Sequence, residues 1–225
     1  MTDAILETVT LGGSTSIHQH QRPEPDLLDR FRHLPSANIA DAMGRLGAVD
    51  ARIKPVWDGA SVVGAAFTVW TRPGDNRGIH EALALVAPGD VIVINGGGDE
   101  SRALIGELIG GKARLRGVAG FVIDGAVRDA TGLREYQMPV FARSITPAGP
   151  YKDGPHALLS RIAVGGVVVT PGDVVVGDED GVVIVPLEHA ETIAAAAERK
   201  QAAEQRTRDQ IEADLPAVDP GVRAR

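Results

Sequence analysis

Between residues 79 and 143 short apolar runs alternate with amphipathic, helix-forming stretches, and a chain patterned this way has few folds open to it. Residues 79–86 read as a short helix closed by Pro88 and Gly89, and 90–95 as a buried strand. Residues 102–115 read as a helix, 118–124 as a strand, 130–135 as a short helix and 140–143 as a strand. Strands this continuous in apolar character, separated by helices, are βαβ units that put helices on the faces of a largely parallel sheet.

The flanks are patterned differently. Residues 1–24 mix Gly, Ser, Thr, His and Gln and are expected to form an arm with little structure of its own. Residues 25–33 read as a helix. Ser36 is a suitable N-cap for a second one over 37–46, where Ile39, Ala42, Met43 and Leu46 recur at helical spacing. Residues 53–70 are strand-like. Downstream, 162–185 hold ten Val, punctuated by Gly165-Gly166, Pro171-Gly172-Asp173 and residues 178–181, the pattern of short antiparallel strands joined by tight turns. Pro-Gly-Asp-Val occurs at both 88–91 and 171–174, which reads as two type I or II turns that each launch a strand. Residues 187–214 form one long helix with a thin apolar stripe at Ile193, Ala197 and Ala203, too thin to bury the helix on its own subunit. The expected organisation is therefore an arm (1–24), a single α/β domain (25–190), a helix packing on a neighbouring subunit (191–215) and a tail (216–225).

Composition narrows the chemistry. The chain has no Cys, so thiolate metal sites, iron–sulfur clusters and a cysteine nucleophile are excluded, and any metal must be held by oxygen or imidazole. A formal charge of -7 argues against a nucleic-acid surface, although a local Arg cluster can still receive a small anion. No apolar run approaches the roughly 20 residues that span a bilayer, and the N-terminus lacks an apolar signal segment, so a cytoplasmic location is expected. A dinucleotide site fails on detail. Gly96-Gly97-Gly98 is followed by Asp99 and Glu100, which would face the pyrophosphate, and the last small position is Ser101. A glycine-rich turn entering a helix can instead present backbone N–H groups to one carboxylate, with the best donors in the first helical turn or at a break near 106–109.

The most informative stretch is residues 120–129, Gly-Phe-Val-Ile-Asp-Gly-Ala-Val-Arg-Asp. An apolar strand brings the chain to the C-terminal edge of the sheet, where α/β proteins place ligands, and Arg128-Asp129 follows. That pair offers a cation for a carboxylate or oxo group and an oxygen ligand for a hard divalent metal; alternatively Asp129 caps a helix and Arg128 forms a surface ion pair. Asn76, Arg77 and His80 follow a Gly-containing loop and are candidates to line a pocket, whereas Asp41 suits a capping or pairing role. His18-x-His20 only superficially resembles a metal motif.

With its surroundings this stretch resembles the RraA-like family, which includes class II 4-hydroxy-4-methyl-2-oxoglutarate / 4-carboxy-4-hydroxy-2-oxoadipate aldolases and oxaloacetate decarboxylases. The resemblance is carried in order by residues 37–44, 64–69, 88–91, 106–109, 116–120, 124–129, 139–143 and 171–183, and covers about 36–186. It implies a swivelling β/β/α domain, an α/β fold with a central mixed sheet, flanking helices and a Val-rich antiparallel part. It also implies trimers or hexamers with active sites between subunits. On this resemblance Asp129 is the metal ligand and Arg128 contacts the oxo-acid, while the amides of Gly106, Glu107, Leu108 and Ile109 receive the pyruvate carboxylate. The acid separated from the Arg-Asp pair by twenty residues, 108–127, is Glu107. Two departures stand out: the acid is Glu where the aldolase pattern has Asp, and the Arg-Asp-x-x-Glu/Asp variant is absent because its final position is Gly132. An acid from the adjacent subunit's last helix, Glu204 or else Glu198, would complete the site.

The implied chemistry is that of a lyase using Mg2+ or Mn2+ and no nucleotide cofactor. It would cleave a 4-hydroxy-2-oxo acid to pyruvate plus a 2-oxo acid and decarboxylate oxaloacetate through the same pyruvate enolate, with Glu107 orienting the water that moves the proton. No Lys but Lys112 lies in the motif blocks around the site, which argues against a Schiff-base aldolase. The rival reading is a regulator without enzymatic activity that inhibits an RNA-degrading endonuclease by protein–protein contact.

Overall fold

The structure, a computed structural model, describes residues 21–215. The tail, His18-x-His20 and nearly all of the expected arm lie outside them. Helices α1 (Pro25–Phe31) and α2 (Ser36–Ala42) precede strands β1 (Lys54–Pro55) and β2 (Val62–Thr71). Next come α3 (Arg77–Leu85), β3 (Asp90–Ile105), α4 (Glu107–Leu115), β4 (Gly120–Val127), α5 (Ala130–Glu135) and β5 (Val140–Ile145). The chain continues through β6 (His156–Leu158), β7 (Ile162–Val164), β8 (Val167–Val169), β9 (Val174–Asp178) and β10 (Gly181–Val185), then a 3-10 turn (Leu187–His189) and α6 (Ala190–Asp214).

The main sheet runs β1-β5-β4-β3-β2-β9-β10, with β6 beside the end of β2 and β7–β8 as a separate hairpin. Its centre, β5-β4-β3-β2, is parallel, while β1, β6, β9 and β10 pair antiparallel. This is the expected mixed α/β sheet with a Val-rich antiparallel part. Side chains alternate between its faces. Ile92, Ile94, Phe121 and Ile123 meet α3, α4 and α5 on one side, and Val91, Val93 and Val122 meet the β7–β8 hairpin on the other. A third cluster joins Leu27, Phe31 and Ile39 to Val174, Val176 and Val183.

The repeated Pro-Gly-Asp-Val segments are matching type II turns. Gly89 (φ 84°) and Gly172 (φ 93°) occupy the left-handed position, and the Asp after each accepts the backbone N–H three residues earlier at 2.8 Å. Burial pushes the Asp173 carboxyl up, and the Thr170 and Leu187 amides only partly offset it.

Several boundaries differ from the sequence reading. Within 53–70 only 54–55 and 62–70 are strand. Residues 102–105, expected in a helix, extend β3, because Ala103 and Ile105 pair with Ala126 and Val127 of β4 past a bulge at Gly97 and Gly98. The helix begins only at Glu107, so the glycine-rich turn does not enter it. Ser36 is the first residue of α2 and not its cap. Asp178 of β9 replaces the cap by accepting from Ser36 N at 2.8 Å and Ser36 Oγ at 2.7 Å. The long helix also departs from expectation in its first half. Ala190, Ala194 and Ala197 are fully buried on their own chain, and Arg30 clamps Glu191 at 2.6 Å and Glu198 at 2.7 and 3.0 Å. Alanine at i, i+4 and i+7 lets the helix lie close where a stripe of larger residues would be conspicuous. Beyond 201 its residues are exposed.

Candidate active site

The parallel strands β3 and β4 end side by side, and the site is built on their ends. Arg128, the first residue past β4, donates its N–H to the Ile105 carbonyl at 3.0 Å. This seats Arg128 over Gly106, where α4 begins. A Cβ on Gly106 would collide with Asp129 Oδ2 and lie 2.9 Å from Arg128 Cγ and 3.1 Å from Arg128 Nε. Close approach of the two chain segments, not backbone conformation, is therefore what requires glycine here.

Asp129 adopts a left-handed backbone (φ 56°, ψ 43°) and makes no side-chain cap to α5. A positive φ is uncommon outside glycine, and Asp is among the residues that adopt it most readily. Its Oδ2 lies 3.4 Å from Glu107 N and 3.4 Å from Arg128 Nε, both long contacts that leave acceptor capacity unused. Arg128 and Asp129 remain 42% and 41% exposed, so the pair is open to a ligand and is neither a closed ion pair nor a helix cap.

The chain breaks at Gly106, between β3 and α4, and residues 107–109 are the first turn of that helix. The Ile109 and Gly110 amides both turn back to the Gly106 carbonyl, at 3.1 and 3.0 Å, so the Ile109 N–H is already engaged. At the start of α4 the Leu108 N–H has no partner among the described residues, and the Glu107 N–H is held only by its long 3.4 Å contact to Asp129 Oδ2. Helix α4 also carries Lys112, which is exposed.

The structure thus brings Gly106, Glu107, Leu108, Arg128 and Asp129 together. It holds Glu204 elsewhere in the same chain: Asn38 Nδ2 donates to it at 2.6 Å and Lys200 Nζ lies 3.1 Å away, and these two hold its carboxyl below the usual range. Glu198 is engaged by Arg30. Asp41 pairs with Lys200 at 2.9 Å, the pairing role expected of it.

Of the loop candidates, Asn76 is buried against the end of β3. Its Nδ2 donates to the Leu104 carbonyl at 3.1 Å, and its Oδ1 has no hydrogen-bond partner among the described residues. His80 is held below the ordinary histidine range by partial burial of its ring and by the charges of Lys152 and Lys112. Arg77 pairs with Glu81 at 3.2 Å on the surface of α3.

Sequence reasoning missed the segment that flanks the Arg. Ala148 accepts from Ala103 N at 2.8 Å, Gly149 accepts from Arg102 Nη1 at 2.8 Å, and a Cβ on Gly149 would lie 3.4 Å from Arg128 Nη1. Arg102 also stacks on Tyr151, 4.2 Å from the ring centroid. Gly149-Pro150 was the only sequence signal. Deeper in the same end of the sheet Arg143 joins Asp124 and Asp50, and Asp124 also accepts from Gly165 N at 2.8 Å. That buried cluster braces the hairpin and is not part of the open site.

Comparison with known proteins gives the family of the chain. The RraA-like family, described as Aldolase/RraA, matches residues 36–184. The chain is 38% identical over 195 residues to a Halalkalibacterium halodurans protein named "Putative 4-hydroxy-4-methyl-2-oxoglutarate aldolase", covering 87% of this chain and 93% of that one. Among solved structures it superposes on an uncharacterized protein from Pseudomonas syringae pv. tomato (TM-score 0.80, 27% identity, 88% of this chain and 93% of the other). It also superposes on Streptomyces coelicolor RraAS2, described as an unusual member of the RNase ES inhibitor RraA protein family (TM-score 0.77, 30% identity, 84% and 98%). A match to about two thirds of the sequence, spanning both the β3–α4 junction and the β4–α5 turn, means that this chain belongs to the RraA-like (Aldolase/RraA) family.

Proposed function

We propose that the protein is a divalent-metal-dependent lyase that cleaves a 4-hydroxy-2-oxo acid of the 4-hydroxy-4-methyl-2-oxoglutarate type to pyruvate and a second 2-oxo acid, and that it also decarboxylates oxaloacetate. The observation that carries this reading is the open Arg128–Asp129 pair held against the start of α4. The aldolase name of the Halalkalibacterium relative supports it.

Among the described residues no group of three or more His, Asp or Glu could enclose a metal. The donor set nevertheless fits Mg2+ or Mn2+, because Mg2+ is commonly bound through one or two carboxylates and keeps several waters. Asp129, with unused acceptor capacity, would hold it. When bound, the metal supplies a Lewis acid toward the 2-oxo group.

The chain's own residues do the rest. The Glu107 and Leu108 amides receive the C1 carboxylate. Arg128 faces the 2-oxo oxygen and stabilises the negative charge that develops there. In the retro-aldol direction the 4-hydroxyl proton leaves through a water oriented by Glu107, and the C3–C4 bond breaks. Its electron pair enters the enolate of pyruvate, and the second 2-oxo acid departs. Returning the proton to C3 completes pyruvate. With oxaloacetate the bond broken is that to the C4 carboxylate, CO2 leaves, and the same enolate is protonated. Exposed Leu108, Tyr136 and Ile145 rim this open ledge, and we assign them to a contact with another copy in a trimer or hexamer.

The purified protein with Mg2+ or Mn2+ is expected to release pyruvate from oxaloacetate and from 4-hydroxy-4-methyl-2-oxoglutarate, and EDTA is expected to stop it. Asp129→Ala should lose the metal-dependent rate. Full metal-dependent turnover by that variant would refute the site.

A further inference from the structure

We infer that Arg102 is a positioning residue for Arg128: it holds residues 148–151 as a wall beside Arg128 and claims the Gly149 carbonyl, which would otherwise compete for the Arg128 guanidinium. The contacts are direct. Arg102 Nη1 donates to the Gly149 carbonyl at 2.8 Å, Arg102 Cζ lies 4.2 Å from the centroid of the Tyr151 ring, and Ala103 N donates to the Ala148 carbonyl at 2.8 Å. Arg72 Cζ stands over the same ring at 5.3 Å. The far end of the wall is tied to the turn before α3, where Tyr151 N donates to the Gly74 carbonyl at 2.8 Å and Asn76 N to the Tyr151 carbonyl at 3.0 Å.

Among the described residues Arg102 forms no ion pair; its half-buried guanidinium is spent on a neutral carbonyl and an aromatic ring two residues apart. A planar fork serves both at once, by an N–H to the carbonyl and by its face to the ring, which a point-like ammonium does not do. On the other side of the wall a Cβ on Gly149 would lie 3.4 Å from Arg128 Nη1, so the Gly149 backbone stands against the guanidinium assigned above to the 2-oxo group. A peptide carbonyl so placed is a ready acceptor for guanidinium N–H groups. Here that oxygen is taken by Arg102, and among the described residues the Arg128 guanidinium has one polar partner, Asp129 Oδ2 at 3.4 Å. The Arg128 donors therefore stay unspent, with a fixed surface beside them, the preorganisation that stabilising an oxyanion requires. Arg102 acts through Arg128, so its loss matters only where Arg128 is present to be displaced.

The inference rests on the proposed 2-oxo acid site, and its test keeps the two apart. A double-mutant cycle of Arg102→Met with Arg128→Lys is read in two ways: as kcat and KM for oxaloacetate, and as the Kd of oxalate with Mn2+ present, by calorimetry. Oxalate carries the carboxylate and the charged oxygen of a pyruvate enolate, and its binding needs no turnover. Arg102→Met is expected to lower kcat about ten- to a hundredfold with little change in KM, and to weaken oxalate about tenfold, the cost of displacing a group at the chemistry. In the Arg128→Lys background the same substitution is expected to change either quantity less than about twofold, because the two residues act as one unit. A merely structural arginine, or one acting through its own charge, predicts the same factor in both backgrounds, and that result overturns the inference. Wild-type kcat and oxalate affinity in Arg102→Met overturn it too. Should Arg102→Met not fold, Arg102→Lys, which keeps the charge and stem but not the fork, takes its place with the same expectations; failure of both to fold makes the arginine structural and overturns the inference. A wild-type chain that binds no oxalate overturns it, whatever the chain turns over. Coupled oxalate binding in a chain that turns over no 2-oxo acid supports the pairing and defeats the proposed function.

Discussion

Arg128 shows how a single residue acquires a role from its surroundings. Its amide is fixed by the Ile105 carbonyl, its stem passes over Gly106, and its Nη1 lies beside Gly149, so the stem is set in place while the guanidinium stays 42% exposed. A planar fork held this way can meet a carboxylate or oxo group with two donors at fixed spacing, which an ammonium cannot. Arg128→Lys is therefore expected to keep the fold and the charge yet lose roughly 10²–10³ in kcat, the usual cost of removing one donor to a developing oxyanion. Steady-state kinetics on oxaloacetate check this, and a Lys variant within a factor of about three of wild type would show that charge alone suffices. Residue types at the site were legible in the sequence because Arg-Asp follows an apolar strand into a glycine-bounded turn. The left-handed backbone of Asp129 was not legible, since an Asp at that place is equally the sequence signature of a helix cap.

At the scale of elements, the sequence signalled the sheet through runs of Val and Ile, and it failed where an element's character depends on its partner. Leu104, Ile105, Leu108 and Ile109 have helical spacing, yet Leu104 and Ile105 are buried in β3 while Leu108 is 70% exposed. Only pairing with β4 decides the matter. The cap of α2 is similarly invisible, because Asp178 lies 142 residues away. Long-range ties of this kind also fix the entry to α3. Asp75, fully buried, accepts from the amides of Arg77 at 2.9 Å, Asp153 at 2.7 Å and Gly154 at 2.9 Å, and joins Arg72 at 3.2 Å. Burial pushes its carboxyl up, but the three amides and Arg72 together outweigh that and hold it below the usual carboxylate value. A carboxyl depressed in the folded state favours the fold above its unfolded pKa, and the benefit fades as pH falls through the folded value. Asp75→Asn should thus cost about 1–3 kcal/mol near neutral pH. The deficit should shrink as the pH drops below about 4, where the wild-type carboxyl begins to protonate in the unfolded chain. Urea titrations at both pH values measure it, and a deficit independent of pH would mean that the ionised carboxylate is not the anchor.

The whole molecule poses a problem that no element solves. Clefts in the single chain occur beside Ser36, Asp50 and Asp180 and beside Phe31, Arg32 and Arg114, and neither is lined by Glu107, Arg128 or Asp129. A half-exposed ledge gives an enolate no shelter from bulk water, and the electrostatic stabilisation offered by Arg128 is far weaker in high dielectric than in a closed site. Around that ledge Leu108 is 70% exposed, Ile145 57% and Tyr136 47%, while the far half of α6 carries exposed Ile211, with exposed Leu215 just past its end. Apolar rims of this sort are costly on a monomer and ordinary at an interface. Another copy placed over the rim would cover the apolar residues and exclude water from the acid–base chemistry together. Assembly and turnover should then fail together: Ile145→Asp, at the end of β5 and outside the Arg128–Asp129 machinery, is expected to shift the protein toward the 23.5 kDa chain in sedimentation velocity. It should also lower kcat about tenfold or more while circular dichroism stays that of the folded chain, since opening the site replaces fixed dipoles by water. Fully active monomers, of the wild type or of this variant, would show that one chain alone builds a competent site and would return the exposed rim to ordinary surface.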